Sequence, residues 1–151
     1  MRRHHVTKVL PYAPDQLFQL VGDIDRYPEF VPWVTGIRVW NRIDDGQGIS
    51  GADAEAAVGF SFLKERFSTR VRRYAVERRI TVSLLSGPFR KLQNEWRFLP
   101  DPAGTRVEFD IDFAFKSRLL DGLLQANFDH AVRRLMDCFE ARATQLYGRA
   151  V

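Results

Sequence analysis

Apolar and polar residues alternate along this chain with two different periods, and the change of period divides it. Between Arg106 and Phe115 the period is two. Val107, Phe109, Ile111, Phe113 and Phe115 share one face, and Glu108, Asp110 and Asp112 share the other. That alternation predicts a strand with an apolar inner side. The preceding segment, Arg90 to Leu99, alternates as well, with Leu92, Asn94, Trp96 and Phe98 against Gln93, Glu95 and Arg97. Further strands are predicted over residues 3–10, 34–43, 49–60, 62–76 and 79–85. Asp44-Asp45-Gly46-Gln47-Gly48, Gly87-Pro88 and Asp101-Pro102-Ala103-Gly104 read as hairpin turns between them. Short, consecutive, turn-linked strands make an antiparallel sheet.

After Ser117 the period becomes 3.6 residues. Leu120, Leu123, Leu124, Phe128, Ala131, Val132, Leu135, Met136, Phe139, Ala143 and Leu146 form one broad stripe, and no proline interrupts it before Tyr147. Ser117 suits the N-cap, Asp121 the N-terminal dipole and Gly148 the C′ position. The pattern predicts one helix over 118–147, roughly 45 Å long at 1.5 Å per residue. Near the other end, Pro14 suits a first helical position, with Leu17, Phe18, Leu20 and Val21 as the apolar side. Asp25 is a candidate cap for a second short turn before Pro28 and Pro32. The expected fold class is therefore α+β, a strongly curved antiparallel sheet gripping a long C-terminal helix, with two short helices after strand one.

Composition narrows the class. At 151 residues, 45% of them hydrophobic, the chain is expected to form one domain over 1–151 with a substantial core. No apolar run approaches the roughly 18 residues of a membrane span. The opening Met1-Arg2-Arg3-His4-His5 does not read as a secretory signal, so a cytoplasmic location is expected, peripheral on the inner membrane face if the chain docks on lipid. The single cysteine, Cys138, fits a reducing compartment. The net charge is +4, and it is concentrated between Lys64 and Arg79, where seven basic residues face two acidic ones. Lys64, Arg66, Arg70 and Arg72 share parity along one strand. They form either a docking stripe for phosphate, on anionic lipid or on RNA, or a solvated face paired with Glu55, Glu65 and Glu77.

Catalytic and metal signals are poor. His4 and His5 point to opposite faces of a strand, His130 lies off the helix stripe, and no histidine or cysteine spacing matches a metal site. Glu108, Asp110 and Asp112 belong to an outer face, where cross-strand arginines such as Arg97 pair with them. No catalytic residue, metal or cofactor is expected. Tyr27-Pro28-Glu29-Phe30-Val31-Pro32-Trp33 stands out as a stiff loop with large apolar side chains. It is either a plug for one end of the sheet or the mouth of an apolar cavity beneath the helix. Inward parity assigns that cavity Leu92, Trp96, Phe98, Phe109, Ile111, Phe113, Leu120, Leu124 and Phe128, with Phe30 and Trp33 near the mouth. Asn94 and Asn127 are the candidate hydrogen-bond donors to a ligand. A filled core and a cavity give the same inner-face pattern, so both readings stay open at this point.

The segments Asp25-Arg26-Tyr27-Pro28-Glu29-Phe30-Val31-Pro32-Trp33, Gly87-Pro88-Phe89-Arg90-Lys91-Leu92 with Trp96-Arg97-Phe98, and Phe139-Glu140-Ala141-Arg142-Ala143 with Leu146-Tyr147-Gly148 resemble the coenzyme Q-binding START-domain family. That family belongs to the helix-grip superfamily and also contains bacterial ribosome-association toxins. The resemblance covers essentially the whole chain. It departs at Val34, where many relatives carry a cysteine. It implies a non-enzymatic carrier or chaperone for a polyprenyl quinone, with ubiquinone as ligand, serving respiration or quinone biosynthesis and meeting an anionic membrane transiently. The alternative it implies is a toxin-like regulator bound to the large ribosomal subunit.

Overall fold

The computed structural model describes residues 2–60 and 63–148. β1 (Arg2–Leu10) leads into α1 (Pro14–Gly22) and a 3-10 turn (Ile24–Glu29). β2 (Val34–Asp44), β3 (Ile49–Phe60), β4 (Leu63–Tyr74), β5 (Arg79–Ser86), β6 (Phe89–Asp101) and β7 (Gly104–Phe115) follow. α2 (Arg118–Ala126) and α3 (Phe128–Tyr147) close the chain. The described strands form one seven-stranded sheet in the order β1-β7-β6-β5-β4-β3-β2, antiparallel at every step. The one non-consecutive pairing brings β1 against β7, with Val6 opposite Phe109. The fold is thus the α+β helix-grip arrangement expected from the pattern.

Local chemistry explains the turns. In the β2–β3 hairpin, the Asp44 carboxylate accepts the Gly46 N–H at 2.9 Å, and the Asp45 carboxylate accepts those of Gln47 and Ile49 at 2.7 and 3.1 Å. Gly104 has φ +132, and a Cβ there would lie 2.3 Å from the Leu10 carbonyl oxygen, so only glycine lets the β6–β7 turn approach the end of β1. Register shifts in β2, between β4 and β5, and at the start of β6 bend the sheet into its grip. β4 ends at Tyr74 rather than Val76, because the backbone turns tightly with Arg78 at φ +51. The expected start of that strand at Phe62 lies outside the described residues.

Two capping expectations resolve differently. The Ser117 hydroxyl accepts the Leu120 N–H at 3.2 Å, as a cap should. Asp25 does not cap. The N-cap of the 3-10 turn is Asp23, whose side chain makes no capping bond, and Asp25 instead receives the Arg42 guanidinium at 2.9 and 3.0 Å.

The predicted single helix over 118–147 is two helices. The break falls at Asn127, with φ −107 and ψ 16. Its side-chain amide donates to the Leu123 carbonyl at 2.7 Å, as its backbone N–H does at 3.2 Å. An asparagine that satisfies a preceding carbonyl with its own side chain competes with the helical ladder, and the 3.6-residue stripe is blind to that competition.

Packing differs between the two ends of the grip. At one end α1 covers the sheet. Phe98 is 1% exposed and lies edge-on to Phe18 at 6.2 Å, while the Tyr12 hydroxyl meets Thr144 at 2.7 Å and the Tyr147 hydroxyl donates to the Gln16 carbonyl at 3.1 Å. That end is a filled core. Phe98→Ala should therefore destabilise the protein by about 3–5 kcal/mol in urea unfolding, the usual cost of a fully buried ring. Leu124→Ala, at the looser end described next, should cost well under half as much.

Candidate functional site

The inner face of the sheet carries large rings on one half and small side chains on the other. β6 and β7 present Trp96, Phe109 and Phe113, with Trp96 and Phe109 centroids 4.2 Å apart. β3 presents Ala54, Ala56 and Val58 at the same parity. Helices standing on the rings cannot also reach the alanines. The result is an apolar cavity of about 380 Å³ between the inner face of β2–β7 and the helices. Leu124 of α2 and Phe128, Val132 and Leu135 of α3 form the helical wall. Trp33 and Val34, leading into β2, line the far side.

Of the residues assigned from sequence, Trp33, Leu92, Asn94, Trp96, Phe109, Ile111, Phe113, Leu124 and Phe128 line this cavity. Four do not. Phe98 lies beneath α1 in the filled core. Phe30 packs against Tyr27 and Phe139 at 5.6 Å each, beneath the Arg142 guanidinium. Leu120 packs against the core without reaching the void. Asn127 is exposed, and its amide is committed to the Leu123 carbonyl at the helix break. Sequence reasoning missed the whole β2–β5 wall. The signal was present as small residues at alternate positions, Ala52, Ala54 and Ala56, followed by Val58.

Few polar groups face this interior. The Tyr27 hydroxyl donates to the Val21 carbonyl, and burial pushes its phenol well above the usual range, so it stays neutral and engaged. Thr69 is buried along the β4 wall. Asn94 sits between Val82 and Ile111 on the neighbouring strands, and its Oδ1 is buried without a hydrogen-bond partner. Such an acceptor costs about 1–3 kcal/mol, which a ligand able to donate a hydrogen bond to it would recover.

The proline loop is tied to α3 beside the cavity. Glu29 accepts from Arg26 at 2.9 Å and from Arg142 at 2.8 Å, and these bonds hold its carboxyl below the usual range. Arg134 lies over the Trp33 ring at 5.2 Å. The loop therefore borders the cavity through Tyr27, Val31 and Trp33 and anchors itself through Glu29 and Phe30.

The basic stripe is on the outer face of β4, and much of it is matched within the chain. Arg70 bonds the Asp53 carboxylate at 2.9 Å, Arg66 lies 3.5 Å from Glu55, and Arg72 donates to the Val71 carbonyl at 2.9 Å. Lys64 is exposed. The partners of Arg66 and Arg70 come from β3. Of the expected partners only Glu55 takes part, and Asp53 was not foreseen. The acidic trio behaves as expected for an outer face. Arg97 reaches Asp110 at 3.1 Å and Glu108 at 3.6 Å, and Lys91 reaches Asp112 at 2.6 Å. His4 turns inward, stacked on Phe128 at 3.7 Å, whereas His5 meets Asp110 outside at 2.6 Å.

A curved antiparallel sheet closed by a C-terminal helix over an apolar cavity defines the helix-grip, START-like class of fold. The chain belongs to the polyketide cyclase / dehydrase and lipid transport family, whose model matches residues 10–140. It is 35% identical over 144 residues to the ribosome association toxin RatA of Rickettsia prowazekii, covering 93% of this chain and 94% of that protein. It is 30% identical over 147 residues to the mitochondrial coenzyme Q-binding protein COQ10 homolog B of Xenopus laevis, covering 95% of this chain and 58% of that one. Among solved structures, an 18 kDa protein of Caulobacter crescentus is 64% identical, with a TM-score of 0.84 over 99% of this chain and 100% of that one.

Two outcomes follow from this geometry. Ala56→Phe puts a ring into an existing void, so its melting temperature should equal or exceed that of the wild type; a large fall would mean the space is already filled. Asp53 has its carboxyl held below the usual range, first by Arg70 and then by Asn41. Its stabilising contribution is complete above the unfolded value of about 3.9 and disappears as pH falls through the lower folded value. Asp53→Asn should therefore melt earlier at neutral pH and show a shallower loss of stability on acidification below about pH 4, followed by circular dichroism.

Proposed function

We propose that this protein associates with the large ribosomal subunit and holds an apolar ligand in its cavity. The end-to-end similarity to a ribosome association toxin supports the first part, since it spans 94% of that protein at 35% identity. The cavity supports the second. Its volume lies near the lower end of ligand pockets, about 300–1,000 Å³, and its lining is almost wholly apolar. Among the described residues no acid–base pair converges on it, so binding rather than catalysis is the reading its chemistry favours. The test of ribosome association is cosedimentation through a sucrose gradient. The protein should travel with large subunits at low salt and leave them as salt rises. Protein that stays at the top of the gradient at every salt concentration would refute this role.

Carriage of a polyprenyl quinone is the second reading. The unpartnered Asn94 Oδ1 is an acceptor, so it favours the reduced form, whose ring hydroxyl can donate to it while the isoprenoid tail gains about 0.8 kcal/mol per buried CH₂. The similarity to a coenzyme Q-binding protein also supports it, at lower identity and over 58% of that protein's length. Trp96 and Trp33 line the cavity and should report a short-tail ubiquinone by fluorescence quenching. Ala56→Phe should weaken that binding about tenfold or more while the fold stays intact. Equal titrations for both proteins would place the quinone outside the cavity.

A further inference from the structure

α2 is apolar on two sides: Leu120 and Leu124 face the protein, and a second apolar face is turned outward. Its exposed positions are Arg118, Leu119, Gly122, Leu123 and Ala126, and none of its residues is buried. Leu119 is 85% exposed and Leu123 49%, one turn apart on the same face. Two of its polar side chains, Asp121 and Gln125, turn toward the protein. Asp121 accepts the Phe115 N–H at 2.9 Å, and Gln125 donates to the Phe113 carbonyl at 3.0 Å while its Oε1 meets His4 Nε2 at 2.8 Å. A polar clasp thus holds α2 in place, and the apolar surface it leaves outside is uncovered among the described residues.

One end of that surface, at the start of α2, is basic. Lys116 and Arg118 are exposed at the start of α2. Arg90 is exposed too, and its Nε donates to the Phe115 carbonyl at 3.2 Å, which brings a third cation to the same corner. Leucines flanked by cations at one end match the acyl boundary and phosphates of a lipid bilayer. RNA would be served by the cations and gain nothing from the leucines. α2 is also a wall of the cavity through Leu124, so a surface seated here lies one helix away from the apolar interior.

We propose that the outer face of α2 docks on an anionic bilayer, with Leu119 and Leu123 entering the acyl boundary and Lys116, Arg118 and Arg90 meeting headgroup phosphates. This site differs from the β4 stripe, where Arg66 and Arg70 are already matched by acids of β3. It stands independently of ribosome association, and docking is measured without any cavity ligand.

The test is flotation with vesicles of phosphatidylethanolamine and phosphatidylglycerol, against vesicles of phosphatidylcholine alone. The wild type should float with the anionic vesicles, less as salt rises, and stay behind with the neutral ones. Leu119→Ser with Leu123→Ser should weaken binding about tenfold per leucine. Lys116→Glu with Arg118→Glu should abolish it at moderate salt. Lys64→Glu with Arg66→Glu should float like the wild type. All these positions are solvent-facing, and circular dichroism verifies that each variant is folded. The proposal is overturned if the folded leucine variant floats normally, or if only the β4 variant loses binding. It is equally overturned if the wild type ignores vesicles and the leucines govern ribosome cosedimentation or self-association instead.

Discussion

Rings on β6 and β7 hold the closing helices at a distance that alanines on β3 cannot bridge. That mismatch of side-chain size governs the rest of the molecule. The stack of Trp96, Phe109 and Phe139 sets where α3 lies, with Trp96 and Phe139 centroids 5.4 Å apart. Opposite it, Ala54 and Ala56 offer a methyl group each, and the sheet cannot collapse onto the helix because its bulges and hairpins fix its curvature. Close packing is the rule in protein interiors, and a void lined by carbon atoms forfeits dispersion contacts on every side. The fold carries that cost at one end and offsets it at the other, where α1 seals Phe98 and the C-terminal half of α3 into a filled core. An apolar ligand recovers the missing contacts.

The sheet, its order of strands and the grip of a helix were legible because alternation and turn residues are local signals. Val107 to Phe115 could point only one way once their polar neighbours faced water. The break at Asn127 was hidden because it depends on one amide reaching one carbonyl, while the stripe continues undisturbed on either side. Phe98 was misassigned for a different reason. It has the right parity for the cavity, and only the position of α1 over it makes it core. The β2–β5 wall went unread because attention follows large residues, and a cavity is announced by small ones. The charged stripe was visible in the sequence, yet its partners come from β3, and cross-strand register decides which acid meets which arginine.

The relatives and the geometry address different parts of the molecule. Similarity to a ribosome association toxin over 93% of the chain supports the proposed ribosome role, whereas the void and the unsatisfied Asn94 Oδ1 support the proposal of a ligand with a donor group and an apolar body. The two are compatible in one chain. The cavity lies between the helices and the inner face of the sheet, whereas the outer faces of the sheet and helices remain available to a large partner. Of the described polar groups lining the cavity, Tyr27 is committed to a backbone carbonyl, and Asn94 and Thr69 are an amide and a hydroxyl.

The central claim is that the interior is a ligand cavity rather than a core. Native mass spectrometry of the protein purified without detergent tests it most directly. A ligand cavity should give a fraction carrying a discrete apolar adduct, released by organic solvent and absent from Ala56→Phe prepared in the same way. Wild-type protein that carries no adduct, and acquires none when offered a short-tail quinone or other isoprenoid lipids, would contradict it.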